Sequence, residues 1–368
     1  MRSVAGICNA DFPAVGRPFF QRLCTVFHVP MKSTRNPSDS IYTTKEHILR
    51  GLYQTMASKT AATVRSDGGL HADQAVASKN KGRPTGGDVV KPCCEHRYEL
   101  VGYDALPTFL KHDEFMLDHY RSEWPVKQAL LSAFALHNET INVWTHLIGF
   151  FVFLALTMSV VSSGEHGRVA RWPFYAYLCG AMFCLLMSSG CHLLACHSEH
   201  ATYVLLRLDY AGITCLIVTS FYPVVYYTFL CDPFSRTLYL GSITICGVAA
   251  VAVSLLPVFQ APELRWARAA LFACMGASGI VPIVHKMLVF GARPEAVLTT
   301  GYEVAMGAFY LAGVLVYATR VPERCMPGMF DLVGHSHQLF HVLVIAGAYA
   351  HYHAGLVYLS WRDRDQCQ

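Results

Sequence analysis

Charged residues are scarce in this chain. Only 15% of its 368 positions are Asp, Glu, Lys or Arg, whereas an average soluble domain has about a quarter. That scarcity excludes a disordered chain, a coiled coil and a nucleic-acid binder with a basic face. Residues 1–30 lack an uninterrupted apolar core, so no secretory signal is expected there. No internal repeat is present. A disulfide scaffold is not expected either, because Cys179, Cys184, Cys191, Cys215, Cys246 and Cys274 lie inside apolar runs, where Cys behaves as a small hydrophobe.

What the chain has instead is apolar length. Hydrophobic residues make up 53% of it, and the mean hydropathy is +0.33. Residues 1–92 hold 13 Lys/Arg against 6 Asp/Glu, while the rest hold 16 against 19. Residues 1–95 read as a flexible tail, dominated by small and polar residues in stretches such as Ser58–Gly87. Residues 96–136 read as an interfacial amphipathic segment. Leu106, Phe109, Leu110, Phe115, Met116 and Leu117 alternate with Lys111, His112, Asp113, Glu114 and Asp118, a mix that suits one or two short helices on a membrane surface. Tyr120 and Trp124 suit the headgroup depth.

From Ile141 onward the pattern is membrane-spanning. Seven segments are expected at roughly 143–162, 173–195, 203–229, 237–258, 268–290, 302–319 and 338–360. Each is of the length that ~30 Å of hydrocarbon requires, and backbone amides in lipid force them to be helical. The fold class is therefore an all-α membrane protein: a seven-transmembrane helix bundle with a disordered N-terminal tail and a short interfacial amphipathic helix. Charge does not orient it, since six Lys/Arg near the spans fall on each side.

Ionisable groups inside a membrane are costly and point to function. Ends of even spans and starts of odd spans share one leaflet. That counting places Ser188 and His192 (span two), Asp209 (span three), and His337 and His341 (span seven) together. His337 and His341 are i and i+4, stacked on one helix face, and can hold one metal ion. The pattern is like H-E-x-x-H, but Gln338 replaces the Glu that would act as base. His192 offers a third nitrogen, with His335 as a rival. Three protein ligands and an open position are the arrangement of catalytic zinc. Asp209 can hold or deprotonate a water, and Ser188, one helical turn before His192, can hydrogen-bond that water or a substrate carbonyl. His351 and His353 lie ~15–18 Å deeper than His341 and cannot share the ion. Asn138-Glu139-Thr140 matches a glycosylation acceptor but abuts the first span, and is discounted.

Four ordered motifs carry a resemblance. They are His137-Asn138-Glu139-Thr140-Ile141-Asn142-Val143-Trp144-Thr145-His146, Ser188-Ser189-Gly190-Cys191-His192, Leu208-Asp209-Tyr210-Ala211-Gly212-Ile213, and Ser336-His337-Gln338-Leu339-Phe340-His341. Over roughly residues 97–362 the sequence resembles the progestin and adipoQ receptor family, haemolysin III-related, which includes adiponectin receptors and plant heptahelical proteins. The resemblance implies a seven-helix bundle with residues 137–362 as the zinc-binding transmembrane domain. It further implies a cytosolic N-terminus, an extracellular or lumenal C-terminus, and Zn2+ near the cytosolic leaflet on His192, His337 and His341. Asp209 and Ser188 would lie beside its water. The wider superfamily includes alkaline ceramidases. Two functions follow as expectations: a zinc-dependent hydrolase of a lipid amide such as ceramide, or a receptor or scaffold with structural zinc and an extracellular ligand. Either sits in the plasma membrane or an endomembrane, and no nucleic acid is expected as a partner.

Overall fold

A computed structural model describes residues 98–162 and 168–367. The expected tail at 1–95 lies outside the described residues. A short helix α1 (Val126–Leu131) precedes α2 (Thr140–Ser162), α3 (Trp172–Leu194), α4 (Glu199–Thr228) and α5 (Pro233–Ser254). Then come α6 (Arg265–Ala277), α7 (Ile280–Phe290), α8 (Pro294–Thr319) and α9 (Ser336–Arg364). Among the described residues, seven helices are long and apolar enough to cross a membrane, with Pro262–Phe290, which contains α6 and α7, as the fifth.

Local chemistry sets the ends. Ser198 caps α4 by accepting from the Ala201 N–H, and Asp232 caps α5 by accepting from the Ser235 N–H, each satisfying an orphan donor. Prolines open α3, α5 and α8 at the first or second position, where no N–H is needed. The fifth span breaks at Ser278–Gly279 because Pro282 offers no N–H to the Ser278 carbonyl four residues back.

Burial sorts the helices. About half of the apolar window is buried in α3 (50%) and α9 (56%), against 17–28% in the others. These two therefore form the centre, and the rest turn an apolar face to lipid, as α2 does with Ile148, Phe151, Met158 and Val161. The core between them contains Phe153, Phe174, Tyr177, Leu185, Val344, Ala348 and Trp361. Close approach depends on glycine at two points. A Cβ on Gly355 would stand 2.2 Å from the Phe174 ring, and one on Gly180 would stand 2.1 Å from Thr219 Oγ1.

Residues 98–136 differ in detail from the expectation. The helical turns between Tyr103 and Tyr120 are limited to short 3-10 pieces at Tyr103–Ala105 and Thr108–Leu110. The chain doubles back instead, with Val101 and Tyr120 exchanging backbone hydrogen bonds of 2.8 and 3.0 Å. Leu106, Met116 and Tyr120 pack together as a small core, so Tyr120 is buried rather than set among headgroups. The one α-helix of this segment among the described residues is α1, which with the following turn exposes Val126, Leu130, Leu131 and Phe134. The doubled segment is strapped to the α8–α9 connection. Asp331 accepts from the Leu117 and Asp118 N–H groups at 3.1 and 2.9 Å, and Arg320 pairs with Glu114.

Two features of the opposite end were not expected. Cys231, after α4, forms a disulfide with Cys367, after α9. Nearby in the bundle, the Lys286 ammonium (α7) donates to Glu303 at 2.6 Å, Tyr358 at 2.9 Å and Thr299 at 3.0 Å. Tyr358 donates to the other Glu303 oxygen at 2.7 Å. All are fully or almost fully buried, so the cluster ties α7, α8 and α9 together. Removing one partner strands the other charge. Lys286→Met should therefore cost about 3–5 kcal/mol of unfolding free energy in detergent, and a double Lys286→Met/Glu303→Leu variant should recover most of it.

Candidate metal centre

The two central helices bring the expected imidazoles together. Ligand atoms of His192, His337 and His341 all lie within 4.8 Å of one another. His192 Nε2 and His337 Nε2 are 3.2 Å apart, and two nitrogens at ~2.05 Å on a tetrahedral ion stand about 3.3 Å apart. His335 stays outside this group. His351 is buried against the Tyr177 ring at 4.6 Å, also apart from it.

The hydrogen bonds assign the tautomers. His192 Nδ1 is 2.8 Å from Glu139 Oε2. Burial pushes the Glu139 carboxyl up, but His192 and Asn142 outweigh this and hold it well below the ordinary carboxylate range. An ionised carboxylate accepts from Nδ1–H and leaves Nε2 bare. Thr145 donates its hydroxyl proton to the Asn142 carbonyl at 3.0 Å, so its oxygen accepts from His341 Nδ1 at 3.1 Å. His341 Nε2 is then bare as well. Bare Nε2 atoms on His192 and His341, grouped with a ring nitrogen of His337, present lone pairs that a cation can take up. The donor set thus fits a borderline-soft divalent ion such as zinc.

Each ligand is held by its helix end. Arg121 donates to the His192 carbonyl at 2.7 Å and the Leu193 carbonyl at 2.9 Å, a cation at the negative end of α3. Glu323 accepts from the Ser336 N–H at 2.7 Å, an anion at the positive end of α9. His146 stacks on His341 with centroids 3.5 Å apart and planes 10° off parallel.

A cavity of about 180 Å³ opens at this point, lined by His192 and His337, by Asp209, and by Leu110, Met116 and Leu206 among others. Asp209 is 9% exposed and Ser188 3%, and the two side chains are neighbours. All five expected residues therefore lie in one half of the bundle.

Sequence reasoning missed the groups behind the ligands. Thr145 and His146 come from α2, a helix that received no role, and Glu139 is the residue just before it. Their spacing was the available signal, since Glu139, Asn142 and Thr145 recur every third residue and so share a face. The glycosylation match at Asn138 hid it, and Asn138 is only 1% exposed. Partners of this kind orient metal ligands, so Glu139→Gln should lower zinc affinity about 10- to 100-fold, read by competition with a chelator.

The profile of the haemolysin-III-related family matches residues 134–352. The chain is 51% identical to heptahelical transmembrane protein 4 of Arabidopsis thaliana, over 74% of this chain and 91% of that one. It is 47% identical to heptahelical transmembrane protein ADIPOR3 of Oryza sativa subsp. japonica, over 74% and 93%. It is 38% identical to the adiponectin receptor protein of Drosophila melanogaster, over 72% and 61%. Seven helices able to span a membrane and motifs matched in order agree with these likenesses, and the chain belongs to the haemolysin-III-related family of heptahelical, adiponectin-receptor-like membrane proteins.

Proposed function

We propose that His192, His337 and His341 hold a zinc ion and that the protein hydrolyses a lipid amide of the ceramide type. One observation carries this reading: a buried carboxylate, Asp209, lines the same cavity as two of the three imidazoles. A zinc ion there would supply Lewis acidity toward an amide carbonyl and toward a water molecule. Asp209 accepts a proton from the attacking water and returns it to the amide nitrogen as the C–N bond breaks. The products are a fatty acid and an amine. Ser188 is a polar neighbour of the Asp209 carboxylate. Leu110, Met116 and Leu206 offer apolar wall to an acyl chain, and a site within the membrane-spanning helices favours a lipid over a soluble peptide. Structural zinc usually takes four protein ligands, and this group has three.

The Cys231–Cys367 disulfide supports an orientation that charge did not give. Disulfides persist in oxidising compartments, so the C-terminal end faces the outside or a lumen and the histidine end faces the cytosol.

A second reading is a receptor or scaffold in which the ion only ties α3 to α9. The name of the Drosophila relative favours it. Labelled ceramide supplied to the purified full-length protein separates the two readings. Release of labelled fatty acid supports the hydrolase, and no release across a panel of lipid amides leaves the receptor.

A further inference from the structure

We propose that Arg265 and Arg268 form a phosphate-headgroup subsite in this same cavity, so that the lipid amide it takes carries a phosphate ester beside the amide. The inference rests on the reading above for where the amide sits.

Several other cations have acidic partners, while the buried Arg121 and Arg362 are satisfied by hydroxyl and carbonyl oxygens alone. Lys286 has Glu303, Arg171 has Asp363, Arg320 has Glu114, and Arg364 has Glu295. Among the described residues, neither Arg265 nor Arg268 has a carboxylate within ion-pairing distance, although both line the cavity. Arg268 is only 5% exposed. Its Nη1 donates to the Phe259 and Ala261 carbonyls, both at 2.7 Å. Its Nε is buried without a hydrogen-bond partner and its Nη2 makes no hydrogen bond, so the guanidinium keeps unused donors in a residue that lines the cavity. Arg265 donates to the His112 carbonyl at 3.0 Å and reaches the Tyr317 carbonyl at only 3.5 Å. A cation taken out of water without an anion is costly. Both also stand in the first turn of α6, where the helix dipole disfavours cations and attracts anions. Two guanidinium groups at i and i+3 on that turn face one way. A ligand anion resolves each of these costs at once.

The subsite is close to the reacting groups. The Arg268 guanidinium lies 5.6 Å from the ring of Tyr210, the residue after Asp209. The Arg265 guanidinium lies 5.0 Å from the Tyr317 ring, and that ring is 5.7 Å from His337. In a 2-amido phosphate ester only two carbons and an ester oxygen separate amide from phosphorus, so one headgroup can reach both. Guanidinium pairs suit the several oxygens of a phosphate.

The test uses the full-length, zinc-loaded protein in a maltoside detergent. Its probes are ceramide analogues in which an ether replaces the amide, so that no turnover intervenes. Binding of the free alcohol, its phosphate monoester and a fatty carboxylate is compared, with inorganic phosphate as competitor. The phosphate ester should bind at least ten-fold more tightly than the alcohol, a gain of the size expected for a charge-assisted hydrogen bond. That ratio should fall to about two-fold or less in Arg268→Gln, and separately in Arg265→Gln should one variant fail to fold. Arg364→Gln, at the opposite end, should keep it. Equal binding of alcohol and phosphate ester overturns the subsite, as does equal binding of the carboxylate. Displacement by inorganic phosphate as effective as by the lipid phosphate makes it a free-phosphate site and overturns the lipid assignment. Phosphate preference without hydrolysis of any lipid amide keeps the subsite and removes the hydrolase, whereas hydrolysis without preference does the reverse.

Discussion

Asp209→Asn is expected to abolish lipid-amide hydrolysis, by about 10²- to 10⁴-fold, while leaving zinc bound. The substitution keeps the volume but removes the group that accepts the proton. Asp209 lies on α4, which supplies none of the three imidazoles, so the metal should stay. Zinc content and fatty-acid release measured on one preparation read both halves of the expectation. Loss of the metal together with activity would instead make Asp209 part of the metal's support. Full activity would remove it as the base.

His341→Ala is expected to empty the site. A structural zinc bound by four ligands is held by roughly 10–16 kcal/mol, so one ligand accounts for roughly two or more orders of magnitude in affinity. His341 is 1% exposed, and no other histidine of the described residues stands with His192 and His337 as a replacement. The loss should exceed that from Glu139→Gln, which removes only the support behind a ligand. His353→Ala, which changes a histidine outside the group, should leave zinc content unchanged. Retained zinc in His341→Ala would mean that two imidazoles and a different donor suffice.

The spans were legible because bilayer thickness fixes their length, although the sixth starts at Pro294 rather than 302 and the fourth ends at Ser254 rather than 258. The i, i+4 pair on α9 was legible for a similar reason, since helix geometry stacks it. Leaflet counting then placed Ser188, His192 and Asp209 beside it without any knowledge of packing. It could not reveal that Glu139 and Thr145 fix the ring tautomers, because that depends on how α2 rotates against α3 and α9. The Cys231–Cys367 bridge joins residues 136 apart, and no local pattern encodes such a pairing. Lys286 and Glu303 were similarly hidden, being brought together across the turn between α7 and α8. In the segment before α2, composition matched a surface helix, yet Asp331 drew the Leu117 and Asp118 amides into a folded loop. Burial pushes the Asp331 carboxyl up, and those two N–H groups oppose it.

The most direct measurement is the metal content and coordination of the purified, full-length protein, by elemental analysis together with X-ray absorption at the zinc edge. Three imidazoles around one ion predict about one zinc per chain with a shell of nitrogen and oxygen at about 2.0–2.1 Å and no sulfur. Preparations that are folded yet free of stoichiometric zinc, or a shell containing sulfur at about 2.3 Å, would contradict the three-histidine site.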